Sequence, residues 1–143
     1  MQVAAGLRYL LDTNIVSDLV RHPQGAVAAR LARSGEARVC TSIVVACELR
    51  FGAAKKGSAR LSEQLEQVLA VLPILPLEDE ASRRYGDIRH GLEKAGTPIG
   101  PHDLLIAAHA LSLGLTLVTD NTREFERVKG LKLQNWLLAA KRP

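Results

Sequence analysis

A chain of 143 residues, 47% of them hydrophobic, is long enough for one domain with a full core and too apolar to remain disordered. Only 3% of its residues are aromatic, so that core is aliphatic and alanine-rich, a composition suited to helices packed closely on a sheet. The net charge of +4 favours a polyanionic partner, nucleic acid first, with a soluble protein carrying spare lysines as the plain alternative.

In chain order, residues 8–12 form an apolar run that reads as a buried parallel strand and ends abruptly in Asp12-Thr13-Asn14. Residues 15–20 predict a short helix stopped near Pro23, and residues 24–34 a second, with Val27, Ala28 and Leu31 on one face and Gly35 as its stop. Residues 39–41 are a short strand. The segment 43–55 opens with β-branched residues, but Ser42 caps a helix and Ala46-Cys47-Glu48-Leu49 continues one, so helix is preferred. Leu61, Leu65, Val68, Leu69 and Leu72 follow helical spacing over residues 61–72, and a proline-flanked strand occupies residues 73–77.

Residues 80–95 form an amphipathic helix ending at Gly96. Pro101 fits the first turn of the next helix, residues 101–113, with Gly114 at its C-terminal cap. That helix is apolar nearly all round and therefore central. A strand at residues 115–119, a helical turn near residues 123–128 and a last strand around residues 131–133 complete the chain. Alternating strands and helices predict an α/β fold, a three-layer α/β/α sandwich around a mostly parallel sheet, with residues 1–143 as a single domain.

Cys40 and Cys47 lie in apolar segments, and two thiols make no disulfide framework; both are expected reduced and buried, in a cytoplasmic protein. The N-terminus lacks a basic leader region, and no run of about 18 apolar residues exists, so neither a signal peptide nor a membrane span is expected.

Acids stand where packing alone would not ask for them. Asp12 ends the first strand, Glu48 is bracketed by Val44, Val45, Phe51 and Gly52, Asp103 opens the most apolar helix, and Asp120 ends a later strand with Glu124 close behind. Each has an ordinary structural explanation as a cap, a dipole partner or a surface ion pair. Their joint occurrence at strand ends and helix starts is what points to one site, because ligands bind at the carboxyl ends of strands in open α/β sheets. Such a cluster repels itself and at neutral pH holds protons or a cation. All-oxygen ligation suits Mg²⁺ or Mn²⁺; His22, His90, His102 and His109 make no zinc set, and His102 beside Asp103 reads first as a surface imidazole.

With those residues placed, the chain resembles PIN-domain ribonucleases, and among them the VapC-type toxins of toxin–antitoxin pairs. The resemblance rests on Leu10-Leu11-Asp12-Thr13-Asn14, on Ser42 with Glu48-Leu49 and Gly52-Ala53, and on Gly100-Pro101-His102-Asp103-Leu104-Leu105-Ile106-Ala107-Ala108-His109-Ala110. It continues through Val118-Thr119-Asp120-Asn121-Thr122-Arg123-Glu124-Phe125 to Gly130-Leu131 and Asn135-Trp136. It implies Asp12, Glu48 and Asp103 as metal-site acids, with Glu124 and Asp120 as alternatives for a fourth carboxylate and Asn121 as a polar contributor. Thr13, Asn14 and Thr119 then orient carboxylates or water.

The activity implied is Mg²⁺- or Mn²⁺-dependent phosphodiester hydrolysis of RNA, a tRNA for such a family, by a homodimeric toxin held inactive by a small antitoxin. A housekeeping RNA-processing nuclease and a catalytically weak binding module are the alternatives. Arg50, Lys55, Lys56, Arg89, Arg123 and Arg127 are candidates for phosphate contact, Arg89 first. An apolar groove for the antitoxin is expected beside Leu49, Phe51, Leu65 and Leu69, taken as partly exposed.

Overall fold

The computed structural model of the chain describes residues 6–137; both ends of the expected 1–143 domain lie outside that range. Five strands, β1 (Tyr9–Leu11), β2 (Val39–Ser42), β3 (Ile74–Leu75), β4 (Thr116–Val118) and β5 (Leu133–Gln134), form one sheet in the order β3-β2-β1-β4-β5. All four pairings are parallel. Seven α-helices connect and flank them: α1 (Thr13–Arg21), α2 (Ala26–Ser34), α3 (Ile43–Lys56), α4 (Ala59–Val71), α5 (Asp79–Lys94), α6 (Pro101–Leu113) and α7 (Thr122–Phe125). The expected α/β sandwich is therefore present, and its sheet is wholly parallel.

Strand order reverses between β1 and β4, because the chain winds outward from β1 to β3 and then returns to the other side of β1. Leu11 stands opposite Thr41 on one side and Val118 on the other. The residues that follow these three, Ser42, Asp12 and Thr119, consequently form a row at the C-terminal edge of the sheet. Such a switch point opens a crevice there, since the helices leave in opposite directions.

The helix ends follow capping chemistry more closely than apolar spacing. Helix α1 begins two residues before its apolar stripe because the Asp12 carboxylate accepts a hydrogen bond from the Thr13 N–H at 2.8 Å. Ser42 Oγ accepts from the Val44 N–H at 3.0 Å, which settles the ambiguous segment as the helix α3, and Ser58 Oγ accepts from Leu61 N–H at 3.2 Å to open α4. Helix α6 runs over the expected residues, from Pro101 to a Gly114 cap at φ 68° that favours glycine. The last strand lies two residues later than expected, where Leu133 and Gln134 pair with Leu117 and Val118.

Leu10, Leu11, Leu117, Val118, Ile106 and Ala107 are fully buried at the centre of the core. Cys40 is buried with them, but Cys47 is exposed on the outer face of α3, contrary to expectation, because Glu48 and not Cys47 turns inward. No helix among the described residues is long and apolar enough to cross a membrane.

Leu10 has no exposed surface, while Val71 at the end of α4 is 72% exposed. Leu10→Ala should cost about 2–5 kcal/mol of stability, through lost transfer energy and the cavity left behind. Val71→Ala should stay within about 0.5 kcal/mol. Urea denaturation midpoints of the two variants and the parent compare them directly; equal midpoints would contradict this placement of the core.

Candidate active site

The row of residues at the sheet edge leads directly into a cavity of about 440 Å³. Asp12, Thr13, Asn14 and Ser17 line it from the β1–α1 side, Glu48, Leu49, Gly52, Ala53 and Lys56 from α3, and Asp103 and Asn121 from the far wall. Asp12 is 5% exposed, and both of its oxygens are engaged. Its Oδ1 accepts from the Thr13 N–H, and its Oδ2 accepts from Thr119 Oγ1 at 2.7 Å. Burial raises its pKa, the two hydrogen bonds work against that rise, and the Glu48 charge adds to it.

Glu48 is placed by α3, one and a half turns beyond the Ser42 cap. Thr13 Oγ1 donates to its Oε1 at 3.1 Å, and His102 Nδ1 stands 3.6 Å from its Oε2. His102 is thus exposed, as a surface imidazole would be, and also within ion-pair range of a site acid. Asp103 sits in the first turn of α6. Burial pushes its pKa up to about 7, and the charges of Asp12, Glu124 and Glu48 add to the rise. Glu124 goes the other way: the Asn121 amide donates to Oε2 at 3.1 Å and the Gly100 N–H to Oε1 at 3.2 Å, holding its carboxylate below the ordinary range. Where Asp103 and Glu124 share a proton, it therefore resides on Asp103.

The two alternatives for a fourth acid separate geometrically. Glu124 backs Asp103, whereas the exposed Asp120 turns outward and its Oδ1 accepts from the Asn135 amide at 2.9 Å. The Asp120 N–H meets Asn14 Oδ1 at 3.4 Å, so Asn14 ties the two strand ends together. Thr119 Oγ1 accepts from the Asn121 N–H at 3.0 Å while donating to Asp12, which couples the two polar turns.

Of the expected cations, Lys56 lines the cavity and the others do not. Arg50 makes a two-pronged pair with Glu66 at 3.0 Å, on the outside of α3 and α4. Arg89, first among the expected phosphate contacts, pairs with Glu93 at 2.9 Å and Tyr85 at 3.2 Å and lines a separate cavity of about 180 Å³ against Pro98, Ile99 and Pro101. Arg123 is exposed and lies outside the acidic cavity, and Arg127 donates to the Pro98 carbonyl. The cations that do line the cavity are Arg21 and Lys56. Arg21 was detectable from sequence, because Thr13, Ser17 and Arg21 recur every four residues along α1, as Glu48, Gly52 and Lys56 do along α3.

Beyond the acids the cavity continues as an apolar arm formed by Val20, Leu49, Leu61 and Leu65. Of the four side chains expected to be partly exposed, Leu65 and Leu69 are buried, Leu49 is half-buried and Phe51 is 68% exposed. The buried pair face inward from α4 onto the core.

Among the described residues no three His, Cys, Asp or Glu side chains converge tightly enough to chelate an ion unaided. Carboxylates that repel one another, on purely oxygen donors, fit a hard cation that keeps several waters and accepts one or two carboxylates. The donor set and its self-repulsion therefore fit Mg²⁺ or Mn²⁺.

A model described as the PIN domain matches residues 9–131. The chain is 37% identical over 131 residues to the tRNA(fMet)-specific endonuclease VapC of Shigella flexneri, covering 91% of this chain and 98% of that protein. It is 38% identical over 132 residues to ribonuclease VapC2 of Haemophilus influenzae, with 92% and 99% covered. Among solved structures, VapBC2 from Rickettsia felis bound to a promoter DNA fragment superposes with a TM-score of 0.85 at 33% identity, covering 91% of this chain and 99% of that one. DNA-bound VapBC from Salmonella typhimurium gives 0.82 at 35% identity, with 91% and 98% covered. With its sheet, its crevice and its acids in this arrangement, the chain belongs to the PIN-domain family, among the VapC ribonucleases.

Proposed function

We propose that this chain is a Mg²⁺- or Mn²⁺-dependent endoribonuclease, the toxin of a toxin–antitoxin pair, which hydrolyses phosphodiester bonds in tRNA. The observation that carries the reading is the meeting of Asp12, Glu48 and Asp103 in one crevice at the β1/β4 switch point, backed by Glu124, in a chain alike over nine-tenths of its length to named VapC nucleases. A cation bound there would neutralise charge and activate water at the scissile phosphate. Asp12 and Asp103 would hold it, and Glu48, steadied by Thr13, would ligate it or orient the attacking water. Thr119 and the Thr13 N–H keep the Asp12 carboxylate aimed into the crevice, and Asn121 with Glu124 fixes Asp103.

RNA reaches an acidic pocket only where cations offset the repulsion, and Arg21 and Lys56 stand on its wall for that task. The scarcity of aromatic side chains favours recognition of a folded RNA over base stacking along a single strand. The relatives' solved structures are VapBC complexes, and a small antitoxin is the protein partner proposed here, seated on the apolar arm beside the acids. The toxin is proposed as a single-domain, cytoplasmic homodimer, free of membranes.

Cleavage of purified tRNA should appear with Mg²⁺ or Mn²⁺ and vanish with EDTA. Asp12→Ala and Asp103→Asn should each lower the rate by more than about 100-fold, since even supporting groups around a metal site are worth 10- to 100-fold. Cleavage that persists in EDTA and in both variants would remove the site from consideration.

The raised pKa of Asp103 fixes the sign of a pH effect. The folded metal-free chain binds a proton more tightly than the unfolded chain, whose carboxyl titrates near 3.8. That advantage is complete below the unfolded value and is lost as pH rises through about 7. The melting temperature of the metal-free protein should fall between about pH 4 and about pH 7, less steeply in Asp103→Asn. A flat melting profile shared by parent and variant would refute the assignment.

Arg21→Ala and Lys56→Ala should raise KM for tRNA with kcat nearly intact, and each should lower the salt slope of binding by about one unit. Arg89→Ala should do neither. Filter-binding titrations over a salt series separate the three.

A further inference from the structure

We propose that His109 and Ser42 form a buried positioning pair that ties α6 to α3 and thereby sets the gap between Asp103 and Glu48 in which the divalent cation is held. The inference rests on the metal-dependent reading above and concerns residues one layer beneath the pocket.

His109 is the one strongly polar side chain in the α6 segment Leu104–Leu111, and it is 1% exposed. Its Nδ1 lies 2.8 Å from Ser42 Oγ. That hydroxyl already accepts the Val44 N–H of the α3 cap, so its own hydrogen is free to go to Nδ1. The imidazole therefore accepts at Nδ1 and carries its hydrogen on Nε2. Burial holds the ring below its ordinary pKa, in the neutral form this arrangement requires, and the Pro76 carbonyl acts against that trend. Burying an imidazole carries a desolvation cost that a leucine at the same position would avoid. The ring's 2.8 Å contact is the one that reaches α3.

The spacing gives the pair its leverage. Ser42 lies six residues before Glu48 on α3, and His109 six residues after Asp103 on α6, about 9 Å along each helix. Ser42 is also the neighbour of Asp12 in the row at the sheet edge, because Leu11 and Thr41 stand opposite each other. One hydrogen bond thus joins the helix of Asp103 to the cap of the helix of Glu48, directly beneath Asp12. Sliding α6 along α3 would change the gap between the two carboxylates while leaving the hydrogen bonds that hold Asp12 and the Thr13–Glu48 contact in place.

Asparagine and glutamine at position 109 separate this role from simple core filling. Asn carries its oxygen on Cγ, where Nδ1 sits, and can accept from Ser42; Gln places its polar atoms one bond further out, near Nε2. Mn²⁺ binding to the purified chain, followed by the electron-spin resonance of the free ion, should be weakened at least about tenfold by His109→Leu and His109→Gln. His109→Asn should remain within about threefold of the parent, and adding Ser42→Ala to His109→Leu should weaken binding no further.

Thermal melting without metal supplies the control. Parental Mn²⁺ affinity in a folded His109→Leu, or an Asn variant as weak as the Leu variant, overturns the proposal. Should the Leu variant fail to fold, Asn and Gln decide it alone, equal affinities counting against. A parent chain that binds no Mn²⁺ at all overturns the metal-dependent reading itself, which distinguishes the two failures.

Discussion

Mutual repulsion among Asp12, Glu48, Asp103 and Glu124 is the constraint around which this structure is arranged. Four carboxylates with no arginine or lysine in ion-pair contact with them among the described residues would push any loosely built crevice open. Here each is restrained by a different part of the chain. Asp12 is clamped through both oxygens by Thr13 and Thr119, Glu48 by the Thr13 hydroxyl, and Glu124 by Asn121 and the Gly100 N–H. Burial of Asp103, with what remains of the repulsion added to it, raises its pKa to about 7. The restraint comes from neutral donors, which fix direction without cancelling charge, and so leave the charge available to a cation.

The scaffold explains why repulsion does not simply deform the site. The acids stand on the stiffest parts of the fold: Asp12 follows the central strand, flanked on both sides, and Asp103 opens a helix buried over most of its length. Sheet register carries Asp12, Thr119 and Ser42 into one row, so their relative positions are fixed by backbone pairing. Only Glu48 reaches the crevice from mid-helix, and it is the acid whose helix is capped by Ser42 and braced by His109.

Fold class and element order were legible in the sequence because apolar runs and helical stripes are set by burial, which composition records. Asp12, Glu48 and Asp103 could be singled out because each interrupts an apolar context. The cations could not be assigned in the same way: Arg50 and Arg89 look available in sequence, yet glutamates one turn away or on the neighbouring helix occupy them. Cys47 was misread for a related reason. Helix α3 is apolar on nearly every side, so periodicity does not say which face is inward, and Glu48 takes the inward direction that Cys47 was expected to share. Asp120 and Glu124 were indistinguishable by type; the turn after β4 aims one outward to Asn135 and the other back to Asp103.

The direction of the Asp103 shift follows from its surroundings and not from its place at a helix start. An acid in the first turn of a helix is ordinarily favoured in its charged form by the helix dipole, a stabilisation of about 0.3–1 kcal/mol that lowers its pKa. If Asp103 served only to complement the dipole of α6, it would titrate below 3.8. Its pKa is pushed up instead, to about 7, because burial and three like charges outweigh the dipole. A dipole role alone leaves that excess unexplained. Holding an incoming cation explains it, because the charge that destabilises the empty crevice is the charge that attracts the ion.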